Sequence, residues 1–484
     1  MQNLGGQAKT MIPVKKTKIV CTIGPATETE EALTKLLKAG MNVMRLNFSH
    51  GDFAEHAVRV KNLKAASEKT GIVAATLQDL AGPKIRIGMF KTPEGITLKE
   101  GAKFTITTDQ IEGDEHRVSV NYPNFAKEVA KGHIVYLHDG RKKLEVLEVK
   151  GNDVICKIIV GGEIKGKRGV NLPDSDLTIS SLTDKDKKDL EFGIKHKVDF
   201  VALSFVRHPE DISELREILK KAKSQAKIIA KIETPQAIKN IDEIIALADG
   251  IMVARGDLAI EVPAEQVPSL QKMMIKKSNE AGKPVITATQ MLESMIKSPV
   301  PTRAEVSDIA NAIIDGTDAV MLSEETTLGD YPTEAVEVMN RVAVSIEATI
   351  INHHLLRTVL HTQLQEVGES VTASVVKTAD RIDAKYIVCL TQSGNSARFV
   401  SRFKPNQPVL VFTPNEVTFR QSILSSGTYP VLVDKFAHVT DAVEVIRKFL
   451  KTKKLVVAGD RIVVTCGSPF GKNVNTNMML VETI

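Results

Sequence analysis

The feature that most constrains this chain is a rhythm. Eight short runs rich in β-branched residues recur, each followed by a segment of helical polar-apolar periodicity. They are KIVCTIG (18–24), NVMRLNFS (42–49), VAATLQDL (73–80), VDFVALSFV (198–206), KIIAKIE (227–233), GIMVARGDL (250–258), PVITATQ (284–290) and AVMLSEE (319–325). With one exception their starts lie roughly 23 to 35 residues apart, the spacing of βα units whose parallel strands are joined by crossover helices. Eight such units predict an α/β fold, a closed (β/α)8 TIM barrel. The rival is an open, doubly wound sheet.

The exception lies between the third and fourth runs. Residues 84–178 alternate apolar and polar positions and are punctuated by Gly, Asn-Asp and Asp-Gly turns, which predicts short antiparallel strands. A small β-barrel domain inserted into a βα loop sits over the C-terminal mouth of the barrel, as a lid. Residues 14–83 and 179–350 are then the barrel, and 1–13 an N-terminal tail. Further strands, KYIVCLT (385–391), VLVFTP (409–414), YPVLV (429–433) and LVVAGDRIVVTCG (455–467), predict a C-terminal α/β domain over 351–484 with its own core.

Composition narrows the function. Across 484 residues, 64 Lys+Arg stand against 59 Asp+Glu, and the net +5 is dispersed, without basic tails or zinc-finger spacing; nucleic acid is not an expected partner. Cys21, Cys156, Cys389 and Cys466 are scattered, as in a reduced cytoplasmic protein. No apolar run reaches the length that spans a bilayer, so no membrane is expected.

Polar residues gather at the C-terminal ends of the predicted strands. Arg45, Asn47 and Ser49 share a face of the second, Lys231 and Glu233 of the fifth, Thr287 and Thr289 of the seventh, Ser323 and Glu325 of the eighth; Asp257 ends the sixth. Charges there cost desolvation unless they pair or bind something. Glu233 and Asp257 are hard oxygen ligands suited to Mg²⁺, and Gly256 lets a ligand approach the backbone. Arg45, Lys231 and Arg86 add positive charge, the equipment of phosphoryl transfer, although no Walker or protein-kinase motif is present.

TKIVCTIGPAT, GMNVMRLNFSHG, IAKIET, IMVARGDLAIEVP, GDYPTEAV and the long segment ITATQMLESMIKSPVPTRAEVSDIANAIIDGTDAVMLSEET resemble the pyruvate kinase family, in order, from about residue 18 to the C-terminus. The resemblance implies phosphoryl transfer from phosphoenolpyruvate to ADP, giving pyruvate and ATP, with Mg²⁺ (Mn²⁺ as a substitute), in a homotetramer. It implies Glu233 and Asp257 as metal ligands, and Lys231 as the residue that stabilises the phosphoryl group. Arg45 and Arg86 would contact phosphates, while Gly256, Asp257, Thr289 and Ser204 would line the phosphoenolpyruvate site. Thr289, backed by Ser323 and Glu325, would serve protonation. The nucleotide would meet Thr22, Pro25, His50, Arg86 and Arg168, the last at a position often held by Lys. A phosphoenolpyruvate or pyruvate lyase or aldolase on the same barrel is the rival activity.

One stretch departs from the family. K⁺-dependent members carry DTKGPEIR where this chain has DLAGPKIR (79–86). The resemblance assigns the ion to Asn47, Ser49, Asp79 and the Leu80 carbonyl, beside a Glu at the position of Lys84. A tethered ammonium repels a cation and supplies its charge, so the expectation is that K⁺ is not required. In the C-terminal domain, Thr391, Ser393, Gly394, Asn395 and Ser396 precede a predicted helix and would form an anion site. The resemblance implies a sugar-phosphate effector there, covered by the loop 467–477; Gln392 stands where bisphosphate-responsive members often have Lys, which leaves a monophosphate such as AMP equally open.

Overall fold

The computed structural model describes residues 15–349, 366–469 and 474–484. The N-terminal tail, the 350/351 boundary and part of the 467–477 loop lie outside these residues.

Eight strands close into a parallel barrel: β1 (Lys18–Thr22), β2 (Val43–Asn47), β3 (Ala75–Asp79), β4 (Phe200–Leu203), β5 (Lys227–Ile232), β6 (Gly250–Ala254), β7 (Val285–Ala288) and β8 (Ala319–Leu322). Each is hydrogen-bonded to the strands before and after it in sequence, and β8 returns to β1. Both faces are covered, so most strands read as continuous buried runs. Val20, Val43, Leu77, Phe200, Ile229, Met252, Ile286 and Met321 fill the interior, joined by Ile423 and Leu424 of the C-terminal domain. Arg45, Asp79 and Lys231 lie toward the carboxyl ends of their strands, as the sequence predicts, while Lys18 and Lys227 open strands at the other end.

Between β3 and β4 the chain builds a six-stranded and a two-stranded sheet around Phe104, Ile106, Phe125, Leu137, Leu144 and Val154. Most pairs are antiparallel, but Lys103–Thr107 runs parallel to Arg117–Ser119, a departure from the all-antiparallel expectation. The chain leaves the barrel at Gly82, whose φ of +65° belongs to the left-handed region.

The C-terminal domain is a five-stranded sheet of β9 (Tyr386–Leu390), β10 (Val409–Thr413), β11 (Thr428–Leu432), β12 (Arg461–Cys466) and β13 (Met478–Thr483), in the order β11-β10-β9-β12-β13. The last run predicted by the sequence is a strand only in its second half. The antiparallel β13 is an addition to the predicted set.

Candidate active site

Five strands converge on one polar chain. Lys231, near the end of β5, places its Nζ 2.7 Å from Ser204 Oγ, 3.0 Å from Glu233 Oε1 and 3.2 Å from Asp79 Oδ1. Asp79 Oδ2 accepts from Arg45 Nε at 2.7 Å, and Arg45 Nη1 donates to Thr22 Oγ1 at 2.8 Å. Ser204 Oγ also donates to the Leu80 carbonyl, at 2.7 Å. All these side chains are buried. Taking charges out of water costs several kcal/mol each, about as much as good pairing returns, so a five-strand network of this kind is expensive as mere structure.

The charges are unevenly matched. Burial lowers the Lys231 ammonium, but Asp79 and Glu233 more than offset it and hold it above the lysine range. Burial works against the Asp79 anion, yet Lys231 and Arg45 keep that carboxyl below its usual range. At Glu233 burial dominates; Lys231 and the Phe205 N–H at 2.8 Å offset it only in part, Asp257 adds repulsion, and the carboxyl is pushed up. Glu233 is therefore the carboxylate short of positive charge, and its buried Oε1 has no aligned hydrogen bond. Asp257 receives no hydrogen bond or salt bridge from a described residue. Two hard carboxylates short of positive charge suit a divalent cation whose other positions water can fill; no cluster of three or more His, Cys, Asp or Glu is found among the described residues.

Three site residues lie beyond strand ends where the sequence reading had them on strands, two of them in helical turns. Strand β6 stops at Ala254, and Asp257 sits in the first turn of helix Arg255–Glu261. Ser323 precedes helix Glu324–Thr327, and Glu325 lies within it. Strand propensity runs through both stretches, but pairing ends at Ala254 and Leu322, and the freed backbone turns over the barrel mouth. Thr289 lies beyond β7 with a φ of 72°, unusual for a β-branched residue and worth about 1–3 kcal/mol of strain. Arg255 braces it, donating to the Thr289 carbonyl at 2.8 Å and the Ala288 carbonyl at 3.2 Å while paired with Asp308 at 2.6 Å. The Gly256 N–H donates to Thr289 Oγ1 at 2.8 Å, so that amide is engaged by Thr289 itself. Glu325 accepts from the Ser323 and Leu292 amides, at 2.7 and 3.1 Å, and burial raises its carboxyl. No hydrogen bond joins Thr289 to Ser323 or Glu325.

A cationic rim surrounds this floor. The His50 imidazole is lowered by partial burial and then by Lys84, Arg45 and Arg86. Lys84 is lowered by burial, then by Arg86 and Lys231, with Asp257 opposing. Lys84 is exposed, and its amine makes no hydrogen bond or salt bridge with a described residue. Arg168 has a buried Nε without a partner. Arg86 forms an isolated antiparallel bridge with Gly169, the residue after Arg168. Pro25 is exposed at the end of the β1 loop. Of the groups assigned to a monovalent ion, Asn47 Oδ1 accepts from the Ser49 amide at 3.1 Å, and Asp79 and the Leu80 carbonyl serve Arg45, Lys231 and Ser204 as above.

A family model for the pyruvate kinase barrel domain matches residues 14–336, and one for the pyruvate kinase alpha/beta domain matches 369–482. The chain belongs to the pyruvate kinase family. Pyruvate kinase from Staphylococcus saprophyticus is 45% identical over 479 residues, 97% of this chain and 81% of that one. Pyruvate kinase from Thermococcus litoralis is 43% identical over 477 residues, 98% and 99%. A crystal structure of a pyruvate kinase from Cryptosporidium parvum superposes with a TM-score of 0.93 at 36% identity, covering 99% of each chain.

Two residues of this pyruvate kinase site escaped the sequence reading. Lys185 donates to the Phe48 carbonyl at 2.9 Å and pairs with Asp189 at 2.5 Å, fixing the loop of Asn47 and Ser49. Glu261 accepts from Asn171 of the lid at 2.7 Å. Neither sits in a local pattern that marks it. In the C-terminal domain, a cavity of about 260 Å³ opens beside Thr391, Gln392, Ser393, Asn395 and Ser396, with Lys435 on its wall. The Thr391 hydroxyl accepts from the Gly394 amide at 3.0 Å, and Ser396 Oγ shares a 2.6 Å hydrogen bond with Thr476 Oγ1. Gly394, at φ 84°, turns the chain into helix Asn395–Ser401.

Proposed function

We propose that the chain transfers the phosphoryl group of phosphoenolpyruvate to ADP, giving pyruvate and ATP, in a Mg²⁺-dependent reaction in the cytoplasm. The observation that carries this reading is the buried Lys231 ammonium among Asp79, Ser204 and Glu233, with Asp257 next to Glu233. Phosphoenolpyruvate would lie over Lys231 with its phosphate toward Arg45 and its carboxylate toward Gly256 and Asp257, while ADP enters beneath the lid near Thr22, Pro25, His50, Arg86 and Arg168. The enol C–O–P linkage breaks at phosphorus as an ADP β-phosphate oxygen bonds to it. Lys231 neutralises the charge on the equatorial oxygens. Mg²⁺, held by Glu233 and Asp257, would supply further charge neutralisation, and Mn²⁺ suits the same ligands. The remaining enolate takes one proton at its methylene carbon, delivered from the side of Thr289 with Ser323 and Glu325 behind it.

Lys84 supports a finer reading, that K⁺ is not required: an ammonium stands where K⁺-dependent members carry an acid, close enough to feel the charges of Arg86, Lys231 and Asp257. The C-terminal cavity supports activation by a sugar phosphate or AMP, in a homotetramer whose domains follow the boundaries given above. The test is pyruvate formation from phosphoenolpyruvate, with and without ADP, K⁺ and a panel of sugar phosphates and AMP. Strict ADP dependence without K⁺ is expected; pyruvate formed without ADP favours the lyase reading. Strong K⁺ activation of the native enzyme would overturn the K⁺ reading, and Lys84→Glu is expected to create such activation.

A further inference from the structure

Asn171 Nδ2 donates to Glu261 Oε1 at 2.7 Å, a hydrogen bond that crosses from the lid to the barrel. Its two ends belong to site-bearing elements. Asn171 closes the strand Val170–Asn171, which continues from Arg168 and Gly169 and is held between two lid segments. On one side the Val170 amide donates to the Ile85 carbonyl at 2.9 Å, next to Arg86; on the other Asn171 pairs with Tyr136. Glu261 ends the helix that begins at Arg255, one turn beyond Asp257. The preceding residue, Ile260, packs beneath the lid turn at Gly140, where a Cβ would stand 3.5 Å from its side chain. Two neighbouring positions of one barrel helix thus receive the lid, one through an apolar seat and one through a polar bond.

We infer that Asn171 and Glu261 are positioning residues that latch the lid, setting Arg86 and Arg168 at their working distance from Asp257. The inference rests on the phosphoryl-transfer reading above. Neither residue touches the reacting atoms; they act through the strand and the helix that they join. Losing the latch therefore raises the KM for ADP, which meets the lid, more than that for phosphoenolpyruvate, which meets the barrel floor. A carboxylate on a charge-assisted bond also makes the latch polar in sense, donor on the lid and acceptor on the barrel.

That sense supplies the test. Asn171→Ala removes the donor, and Asn171→Asp sets two acceptors face to face. Asn171→Asp with Glu261→Gln restores one hydrogen bond of reversed sense. Kinetics are read at about pH 8.5, because burial lifts the Glu261 carboxyl to about 7 and a protonated acid would donate. Asn171→Asp is expected to raise the KM for ADP about tenfold, the scale of one charged hydrogen bond turned into repulsion, with the KM for phosphoenolpyruvate within about threefold of wild type. The double variant is expected to recover most of that loss. An unchanged KM for ADP in both single variants, an equal rise in both KM values, or no recovery in the double variant would overturn the latch. Wild-type activity tests the phosphoryl-transfer reading separately, so the two can fail independently.

Discussion

Lys231 is a buried ammonium between two carboxylates, and its surroundings explain why lysine fits there. Asp79 and Glu233 keep it charged despite burial, so under the proposed reaction it would meet the substrate already cationic, in a low-dielectric site where a fixed charge counts for more than in water. Lys231→Met is expected to lower kcat by about a thousandfold or more while the protein still folds, since Arg45 remains on Asp79 and Glu233 can take up a proton. Steady-state kinetics beside circular dichroism check this; near-wild-type turnover refutes the role. At this scale the sequence was readable where polar residues fall at alternate positions of a strand that should be apolar, as Lys231 and Arg45 do. It was silent about Lys185 and Glu261, whose partners lie 137 and 90 residues away. Nothing in their local sequence separates them from ordinary charged residues of a helix.

The elements were legible in kind and less so at their ends. All eight barrel strands fall within the predicted runs, because β-branched runs between helical segments leave a parallel sheet little choice. Asp257 and Glu325 were misplaced, since a strand's end is set by where its neighbours stop pairing, which no local propensity encodes. The lid exit shows how an element boundary can serve the site. Gly82 has φ +65°, and a Cβ there would stand 2.9 Å from the Phe205 ring and 3.0 Å from Ser204 Cβ, while its amide donates to Asp186 at 3.2 Å. Gly82→Ala is therefore expected to cost about 1–3 kcal/mol through backbone strain and crowding. It should also disturb Ser204 and with it the seat of Lys231. Thermal unfolding should show the loss of stability, and a raised KM for phosphoenolpyruvate should accompany it; a variant that matches wild type in both would show that the hinge has room.

At the scale of the whole molecule, the C-terminal domain closes the end of the barrel opposite the site. The sequence indicated a separate α/β core there, but not that Ile423 and Leu424 join the apolar cluster of the barrel interior. Nor did it show β13, an edge strand whose residues alternate between half-buried and exposed. Polar contacts fix the docking. Lys18 Nζ donates to the Thr428 carbonyl at 2.7 Å, Arg420 pairs with Asp199 at 2.8 Å, and Lys404 pairs with Asp318 at 2.7 Å with both side chains buried. Asp318 stands just before β8 and also accepts from the Ser426 amide at 2.9 Å and the Val285 amide at 3.1 Å, so one carboxylate ties two domains. Removing its cation leaves a buried anion with two amide donors, which is expected to cost about 3–5 kcal/mol. Lys404→Met should therefore lower the temperature at which activity is irreversibly lost. At ambient temperature kcat should stay within about threefold, because the change lies at the amino ends of the strands and the chemistry at their carboxyl ends. Adding Asp318→Asn to Lys404→Met removes the stranded charge and should recover part of the loss. If Lys404→Met inactivates at the wild-type temperature, the pair contributes nothing to holding the domains together, and the apolar plug of Ile423 and Leu424 carries the docking instead.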